Sequence, residues 1–583
     1  MLLPSKIEDN VVTLDTETTG LDIVRDKPTH LSWACRDGDK HNKLVSGCVT
    51  DIADMRAIAE RSDLRFTYHA AKFDYHMLHN VGIRPKNFDF CSMVGSFLID
   101  ENPSHGLDNA GRRFVGRGKK HSSWKEVPRP DTYQTSIFDE ELEQGYQEYA
   151  IDDAELSYEL MEKEKKILRE REWESFGGNF LDYYQRYEIP FHNVLFNMER
   201  RGIKVDAPFF RSLIPKLEHD IERSEADCYR FIGKVINLRS AAQMKRFLYE
   251  QKGYPILKRI RRSGQPSTDE KAIELLITNG HGELGALLQY KLKYKLLHTY
   301  VLPILELLDS SDYIHTSYNQ HIARTGRLSS SDPNLQNIPA KKDKIGLRSG
   351  FIAPPGYCVI VADYSQLELR IAAMVANDKT MIRVLNSGKD IHGETALLIL
   401  GKRLTELSDD EYRSARAKAK GLNFGVIYGM GPTRFATESG ISVKDAKEFM
   451  RAHRATYSGI PEMITIVNET LDELGYCVTP LGRRRHISNP QEFYKGFNSI
   501  VQGGASDIIK CAMNELEVDD KLQMLDTSQR LQVHDELVFY CPIKALPEAR
   551  PRIKEIMENS FPSPGQVKLK VKIQGRHSWG EAH

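Results

Sequence analysis

The sequence contains no apolar run close to the about 20 residues that a membrane-spanning helix needs. Its eight cysteines are scattered and include no Cys-x-x-Cys pair, which argues against zinc knuckles and against a disulfide scaffold. The first ten residues, MLLPSKIEDN, lack the layout of a signal or transit peptide. Internal repeats and low-complexity tracts are absent as well. We therefore expect a soluble protein of a reducing cytoplasm, without membrane contact.

The net charge is zero, because 81 basic side chains balance 81 acidic ones. The balance is uneven along the chain, since residues 1–170 are acidic and the remainder is basic. This asymmetry fits an acidic part that holds metal and a basic part that holds a polyanion, but chance variation explains it equally well. A chain of 583 residues exceeds the size of one hydrophobic core, so we expect about two to four domains.

The spacing of apolar residues divides the chain into sections of different character. Residues 1–150 alternate short apolar runs with polar loops, which predicts an α/β domain. Residues 190–310 and 366–475 follow the helical period, and strand-like runs stand near 357–363 and 531–541. We expect an α/β domain first, and then a mostly helical part that contains a few strands.

The run VVTLDTETTGLD presents two acids at the end of a predicted strand. Asp15 and Glu17 lie two residues apart and hence on one face, where like charges repel unless a divalent cation bridges them. A solvated strand end before a Thr-Thr-Gly turn is the alternative.

Further on, HAAKFDYHML offers Asp74, and YAIDDAELSYEL offers Tyr149 and Asp153. The Asp-Asp pair of this last segment would also suit the first turn of a helix.

The order DxE, KFD and YxxxD resembles the three motifs of DEDD-type 3′→5′ exonucleases, in their Tyr-containing branch. The resemblance implies that Tyr149 orients an attacking water, and that four acids hold two divalent metal ions about 4 Å apart. These acids are Asp15, Glu17, Asp74 and Asp153. Ala70 stands where the second motif usually carries Asn, so we expect activity with a weaker grip on the primer end.

Two further acids stand in strand-like segments. GYCVIVADYSQLELRIAAMV ends an apolar strand at Asp363 and continues as an amphipathic helix. RLQVHDELVFYC alternates apolar residues on one face and places Asp535 on that same face. An unpaired carboxylate on a core face is costly, so either the chain turns at His-Asp-Glu or a cation lies against the acid. Each acid by itself would be an ordinary strand-end carboxylate.

The segment RSARAKAKGLNFGVIYGMG places four side chains along one stripe of a predicted helix. They recur at every fourth position: Arg416, Lys420, Phe424 and Tyr428. For an isolated helix, the favoured alternative is a solvated basic end and an apolar end packed in the core.

These three segments resemble sequence motifs of family A DNA polymerases, the bacterial DNA polymerase I family. The segment with Asp363 resembles motif A, the segment with Asp535 resembles motif C, and the segment with Arg416 resembles motif B. The resemblance implies that Asp363 and Asp535 bind two Mg²⁺ ions across a palm sheet, with Mn²⁺ as the alternative ion. Glu536 is then a catalytic residue, and His534 a DNA-binding one, both close to the primer terminus. Mg²⁺ suits such a site because a triphosphate brings oxygens of its own.

The same resemblance assigns a group of residues to the incoming dNTP. Arg416 and Lys420 neutralise the triphosphate, and Lys420 is also a candidate general acid for pyrophosphate. Glu368 is the steric gate against a ribose 2′-OH, with an ordinary helix-surface glutamate as the alternative. The full nucleotide-binding set is Arg416, Lys420, Phe424, Tyr428, Glu368 and His392.

ARTGRLSSSDPNLQNIP is rich in Asn, Gln, Ser and Arg. Such donors suit the minor-groove acceptors that every correct base pair presents, although a loop of turn formers looks similar. The segment resembles the primer–template strip of family A, and FNSIVQGGASDIIK resembles another DNA-contacting segment. Together with the turn at His534, they give the DNA-binding candidates Arg327, Asn334, Gln336, Asn337, Asn498, Gln502 and His534.

Further basic residues are candidates for contacts with phosphate groups. We expect Arg348 to reach the triphosphate or the DNA backbone. Lys258–Arg262 and Arg483–Arg485 are expected to meet phosphates, with solvated loops as the alternative. Tyr494 occupies a position where bacterial members often carry Arg.

The predicted fold is multidomain α/β, with an RNase H-like exonuclease domain followed by a right-hand polymerase. The predicted limits are 1–172 for the exonuclease and 173–583 for the polymerase. Within the polymerase we expect a thumb at about 192–310, a palm at about 311–368 and 487–583, and fingers at about 369–486.

The predicted function is DNA-templated DNA synthesis with 3′→5′ proofreading by a monomer, and the predicted partners are primer–template DNA, dNTPs and other replication proteins. One alternative is an exonuclease with a degenerate polymerase half, and another is a non-catalytic DNA-binding scaffold; the intact acids argue against both. A related single-subunit RNA polymerase would lack the Glu368 gate and the exonuclease motifs. The early DxE leaves no room for a 5′-nuclease domain, so we expect a phage-like enzyme, in an infected host or a bacterial cell.

Overall fold

The computed structural model describes residues 3–120, 138–174, 176–260, 263–340, 345–401, 404–562 and 565–582. In these segments, no helix has the length and apolar character that a membrane span requires. The chain divides into two compact units. Unit 1 comprises Met1–Arg201, Ser317–Ser331 and Ile360–Gly575, and unit 2 comprises Gly202–Thr316, Asp332–Val359 and Arg576–His583. The domain limits given above stay a prediction.

A five-stranded sheet forms the first part of unit 1, in the order β3-β2-β1-β4-β5. The central strand β1 runs antiparallel to β2 and parallel to β4, and Val12 and Leu14 of β1 are fully buried. The strands are β1 (Val11–Thr18), β2 (Pro28–Asp37), β3 (Lys43–Val49), β4 (Arg65–Tyr68) and β5 (Phe88–Cys91). Burial of the central strand explains the short apolar runs that predicted an α/β domain here.

Helices cover this sheet, and the long α5 packs against β1, β2 and β3. They are α1 (Ile52–Ala59), α2 (Ala71–Asn80), α3 (Ser92–Ile99), α4 (Leu107–Phe114), α5 (Phe138–Glu170), α6 (Phe180–Tyr183) and α7 (Ile189–Arg201). Because α5 begins at Phe138, Asp152 and Asp153 lie in the middle of a helix. The alternative that they cap a helix is therefore wrong.

The buried carboxylate of Glu199, in α7, holds α2 in place. It pairs with Lys72 and lies 2.8 Å from His76 Nε2, both in α2. It also accepts a hydrogen bond of 2.6 Å from the backbone N–H of Tyr318. Since charged groups cannot be buried cheaply without partners, these contacts fix the orientation of the helix that carries Asp74.

The second main sheet of unit 1 has the order β13-β14-β10-β15. β13 and β14 form a hairpin in which Val533 lies opposite Glu536, so the chain turns at His534 and Asp535. RLQVHDELVFYC is therefore two strands and a turn, which is one of the two alternatives that the sequence left open. The strands are β10 (Tyr357–Tyr364), β13 (Ser528–Val533), β14 (Glu536–Pro542) and β15 (Val571–Arg576).

Helices and two short ribbons make up the remainder of unit 1, as the helical period of residues 366–475 predicted. The helices are α13 (Leu367–Val375), α14 (Lys379–Ser387), α15 (Ile391–Leu400), α16 (Asp409–Ile427), α17 (Pro432–Ser439), α18 (Val443–Thr456), α19 (Gly459–Leu474), α20 (Gly496–Val518), α21 (Asp520–Met524) and α22 (Leu546–Asn559). The ribbons pair β8 (Ser317–Asn319) with β9 (Ser329–Ser331), and β11 (Tyr476–Val478) with β12 (Arg484–His486).

Unit 2 is mostly helical, which confirms the prediction for the section after residue 190. Its elements are β6 (Ile203–Lys204), α8 (Ala207–Ile232), α9 (Ala241–Lys245), α10 (Glu270–Thr278), α11 (Gly285–Lys295), α12 (Leu302–Glu306), β7 (Tyr313–Ile314) and α23 (Trp579–Ala582). The Asp206 side chain caps α8 by accepting from the N–H of Phe209, and Gly233 ends the helix with φ of 80°. A compact core packs α8 against α11.

Candidate active sites

Three carboxylates meet at the end of β1. Asp15 and Glu17 come from the strand itself, and Asp153 comes from α5. Their ligand oxygens all lie within 4.8 Å of one another. As predicted, the side chains of Asp15 and Glu17 lie on the same face of the strand. Since carboxylates this close repel, the pKa of Asp15 is raised well above its usual value by burial and by the neighbouring acids.

The fourth predicted acid, Asp74, is held separately by β1. Its Oδ1 accepts hydrogen bonds from the backbone N–H of Thr16 at 3.1 Å and from the Thr16 hydroxyl at 2.7 Å. Burial raises the pKa of Asp74 to about 7, although the Thr16 bonds lower it, and the nearby Glu17 raises it further. The carboxylate is thus poised to change its charge near neutral pH.

This donor set fits divalent cations. Carboxylate oxygens are the ligands that Mg²⁺ and Mn²⁺ prefer. The buried oxygens Asp74 Oδ2 and Asp153 Oδ1 accept no hydrogen bond from any part of the chain that the structure describes. Buried polar atoms without partners are rare, and a cation supplies the missing interaction.

Two residues that the sequence analysis missed complete this cluster. Lys119 pairs with Asp153, and its Nζ donates a hydrogen bond of 2.6 Å to the hydroxyl of Tyr149. The Tyr146 hydroxyl donates to Glu17 Oε2 at 3.1 Å. Tyr146, one helical turn before Tyr149, was recognisable from its spacing to Asp153 on one helix face. Lys119 carried no comparable signal.

The predicted departure at Ala70 has a visible structural consequence. Ala70 is the N-cap residue of α2, and its methyl side chain makes no capping hydrogen bond. The helix that carries Asp74 therefore begins without the side-chain acceptor that Asn would offer at this position.

A second pair of acids lies in the sheet that contains β10 and β14. The backbone N–H of Tyr364, which follows Asp363, donates to the carbonyl of Asp535 at 3.1 Å. Asp363 and Asp535 therefore stand on neighbouring strand ends, and both are partly exposed. Burial raises the pKa of Asp535 to about 6, Arg327 lowers it, and Glu368 raises it. The neighbouring Glu536 is buried at the start of β14.

The buried carboxylate of Glu368 lies beside this pair and is held from two sides. It accepts a bond of 2.5 Å from Arg327 Nη2 and one of 2.7 Å from the Tyr428 hydroxyl. Tyr428 ends α16, and its hydroxyl also bonds to Gln502. Predicted DNA-binding and nucleotide-binding residues thus converge next to Asp535.

The α16 helix carries Arg416, Lys420 and Phe424 of the predicted stripe, and Tyr428 is its C-cap residue. Lys420 is exposed and Phe424 is half-buried, with its ring 5.7 Å from that of the buried His392. Burial lowers the pKa of His392 to about 4, so this imidazole is neutral at physiological pH. Arg416 forms a two-pronged ion pair with Asp390, at 2.6 and 3.2 Å.

Residues 208–581 match the family model described as DNA polymerase family A, and residues 3–169 match that described as 3′-5′ exonuclease. The chain belongs to DNA polymerase family A. The predicted resemblance and the predicted two-part fold are thereby confirmed.

Several relatives of this family A chain are DNA polymerases I. That of Borreliella burgdorferi is 30% identical over 100% of this chain and 63% of its own. That of Synechocystis is 31% identical over 98% of this chain and 60% of its own. The thermostable enzyme of Thermus filiformis is 36% identical over 72% of this chain and 51% of its own. The chain therefore spans about half to two thirds of the length of these relatives.

A solved structure agrees over the whole chain. The polymerase domain of Pol1 from M. smegmatis, in complex with DNA primer-template and dNTP, superposes with a TM-score of 0.84 at 26% identity. The match covers 100% of this chain and 99% of that one.

The remaining DNA-binding candidates of this family A chain lie in both units. In unit 1, Asn498 and Gln502 stand one turn apart on α20, and His534 is exposed at the hairpin turn with φ of 56°. In unit 2, the others lie at a short 3₁₀ turn, Leu335–Asn337, whose N-cap residue is Asn334. Of these, Asn334 and Asn337 are exposed, whereas Gln336 is buried.

Some basic residues are buried against other parts of the chain, which corrects the prediction that they reach phosphates. Arg348 is buried, with its guanidinium 4.1 Å from the Trp579 ring. Arg483 is buried against Asp507 and donates to the carbonyl of Thr325 at 2.7 Å. The physical reason is that each lies close to an acceptor or a ring from a distant part of the sequence.

The other two residues of Arg483–Arg485 are also paired. Arg485 is buried and pairs with Glu101, and Arg484 lies 2.8 Å from Glu174. The expectation of phosphate contacts is therefore wrong for the buried Arg485 as well.

In the other basic cluster, Lys258 pairs with Asp269 at 2.5 Å, and Arg259 donates to the Gly264 carbonyl. Its last two members, Arg261 and Arg262, lie outside the described residues.

Proposed function

We propose that the chain is a DNA-templated DNA polymerase with a 3′→5′ proofreading exonuclease. The observation that carries the proposal is the presence of two separate acid sites at strand ends of one family A chain. The first site contains Asp15, Glu17 and Asp153 within 4.8 Å, and the second joins Asp363 and Asp535 across neighbouring strands. The similar Pol1 domain in complex with DNA primer-template and dNTP supports primer–template DNA and dNTPs as substrates.

Each site is proposed to hold two Mg²⁺ ions, with Mn²⁺ as the alternative. The exonuclease ions would be held by Asp15, Glu17, Asp74 and Asp153, and the polymerase ions by Asp363 and Asp535. When bound, such ions lower the pKa of the attacking oxygen and neutralise charge on the leaving one. The protein contributes the geometry, because Thr16 fixes the Asp74 carboxylate by two hydrogen bonds.

In the exonuclease site, Tyr149 is proposed to orient the attacking water through its hydroxyl. In the polymerase site, Glu536 and His534 lie next to Asp535 and are proposed to support the primer terminus. The α5 helix positions Tyr149, and the β13–β14 hairpin positions His534 and Glu536.

Nucleotide binding is proposed for α16 and its neighbours. The exposed Lys420 is available to bind the triphosphate and to protonate pyrophosphate. Arg416 would exchange its ion pair with Asp390 for the triphosphate. Phe424 and Tyr428 would pack beside the sugar and the templating base, with His392 behind Phe424.

Glu368 is proposed to exclude a ribose 2′-OH. Its carboxylate is fixed by Arg327 and Tyr428, so it cannot swing away from a bulkier sugar without breaking both bonds. Rigid placement of this kind is what a steric gate requires.

Duplex contacts are proposed for the polar residues of the two DNA-binding segments: Arg327, Asn334, Gln336, Asn337, Asn498 and Gln502. Their donors suit minor-groove acceptors of any base pair, so binding would check geometry without sequence preference. A monomer, assisted by other replication proteins in a bacterial or phage-infected cell, is the proposed working form. The phage-like character remains a prediction.

Separating the two sites by mutation tests the proposal. Asp363→Ala should abolish primer extension and leave 3′ trimming of a 5′-labelled strand unchanged. The double variant Asp15→Ala with Glu17→Ala should show the reverse. Each variant serves as the folding control for the other. Extension at the normal rate by Asp363→Ala would refute the assignment of the polymerase site, and unchanged trimming by the double variant would refute that of the exonuclease.

A further inference from the structure

Lys119 places a positive charge inside the acid cluster of the exonuclease site. It lies beyond the end of α4, and its side chain is only 18% exposed. The ammonium pairs with Asp153, donates to the Tyr149 hydroxyl at 2.6 Å, and lies 4.6 Å from the centre of the Tyr149 ring. These three contacts hold the ammonium against Asp153, which belongs to the same carboxylate cluster as Asp15 and Glu17.

The charges of this site balance in two different ways. Four carboxylates, those of Asp15, Glu17, Asp74 and Asp153, neutralise two divalent ions without any lysine. Without metal, the same carboxylates repel one another, and one half-buried ammonium relieves part of that repulsion. A divalent ion held by Asp153 would share this carboxylate with the ammonium, and like charges repel strongly in a partly buried site.

We propose that Lys119 is an internal counter-cation that competes with divalent metal for Asp153. Metal binding at this acid requires the ammonium to leave the carboxylate, so Lys119 weakens the affinity of the exonuclease site for metal. This inference rests on the proposed exonuclease function. Lys119 is then a positioning residue. It sets the metal concentration at which the exonuclease site fills, and it does not contact the reacting atoms.

Direct measurement of metal binding tests this proposal without relying on activity. The protein is the full chain with Asp363→Asn and Asp535→Asn, which removes the polymerase metal ligands. Mn²⁺ is titrated without DNA, and the unbound ion is followed by electron paramagnetic resonance. Adding Lys119→Met should lower the dissociation constant for Mn²⁺ about tenfold, since one charged hydrogen bond no longer opposes the ion. An unchanged or higher constant overturns the proposal.

Lys120 offers a matched control. It is the next residue, its Nζ lies 3.3 Å from Asp152, and its side chain is 67% exposed. Lys120→Met removes the same charge from the same segment and should leave the Mn²⁺ constant unchanged. If both variants tighten Mn²⁺ binding equally, the effect is one of overall charge and the proposal is overturned. Lys119→Arg keeps the cation and should bind Mn²⁺ as weakly as the parent, whereas tighter binding by Lys119→Arg would show that the charge is not the cause and would overturn the proposal.

Trimming assays separate the failure of this inference from the failure of the proposed function. If the parent variant neither binds Mn²⁺ nor trims a 5′-labelled strand, the exonuclease proposal itself fails, and the inference fails with it. If the parent trims, but Lys119→Met lowers the rate at saturating Mn²⁺ with unchanged affinity, Lys119 acts in the reaction and only the competition is refuted. Tighter Mn²⁺ binding with trimming at lower metal concentration supports it.

Discussion

Replacing Thr16 with Val tests how the protein sets the charge of Asp74. The substitution removes the 2.7 Å hydrogen bond from the Thr16 hydroxyl and keeps the 3.1 Å bond from its backbone N–H. Val has nearly the shape of Thr, so the strand should be undisturbed. Because the lost bond favoured the charged carboxylate, its removal raises the pKa of Asp74 above the value of about 7.

The size of the effect follows from the strength of the lost bond. A hydrogen bond to a charged group contributes about 1.5–3 kcal/mol, which corresponds to a rise of about one to two pKa units. At pH 7.5, the carboxylate then changes from mostly ionised to mostly protonated. Since a metal ligand must be deprotonated, half-maximal trimming should require roughly tenfold more Mg²⁺.

The assay is trimming of a 5′-labelled single strand over a range of Mg²⁺ concentrations at pH 7.5 and pH 9. The difference in Mg²⁺ demand between Thr16→Val and the unmutated chain should shrink at pH 9, because Asp74 is more fully ionised in both proteins at that pH. Thr13→Val is the matched control, because Thr13 lies on the same strand and bonds to Thr67 instead. Equal Mg²⁺ demand at pH 7.5, or a difference that persists at pH 9, would refute the reasoning.

Three other outcomes are expected. Glu368→Ala should raise incorporation of rNTPs relative to dNTPs at least tenfold in single-nucleotide insertion, and an unchanged ratio would contradict the gate. Burial lowers the pKa of His453, which bonds to Asn423, to about 4, so its contribution to stability is complete above pH 6.5 and is lost as the pH falls towards 4. His453→Gln should therefore reduce the acid-induced loss of stability in urea unfolding by about 2–3 kcal/mol, and a parallel pH profile would disprove this. Ala70→Asn should lower the KM of trimming several-fold without affecting extension.

The acids were predictable because their local sequence is distinctive. Asp15, Glu17 and Asp363 each stand in the second half of a strand that begins with apolar residues, and the surrounding motifs resemble those of known families. The position of Asp535 was recognised as well, but its setting was ambiguous. Period-two alternation continued through the turn, so one strand and a hairpin gave the same pattern.

The residues that were predicted wrongly depend on distant partners. Arg483 is buried by Asp507 and Thr325, and Arg348 lies against Trp579, which is far along the chain. A basic residue has the same appearance in the sequence whether it meets a phosphate or a buried acid, because only the folded chain determines its neighbours.

Lys119 was missed for a related reason. It stands in a Gly- and Lys-rich stretch that resembles a solvated loop, and nothing in that stretch points to Asp153. The contact exists because the segment after α4 is carried back to α5 by the fold. Its pairing with a predicted metal ligand is visible only in three dimensions.

One measurement tests the central claim most directly. The purified chain is incubated with Mg²⁺ and a 5′-labelled primer–template that ends in a mismatch, with and without dNTPs. Trimming of the mismatch without dNTPs, followed by full extension of the corrected primer with them, is the predicted result. Trimming without any extension, or extension that retains the mismatch, would contradict a polymerase that proofreads its own primer.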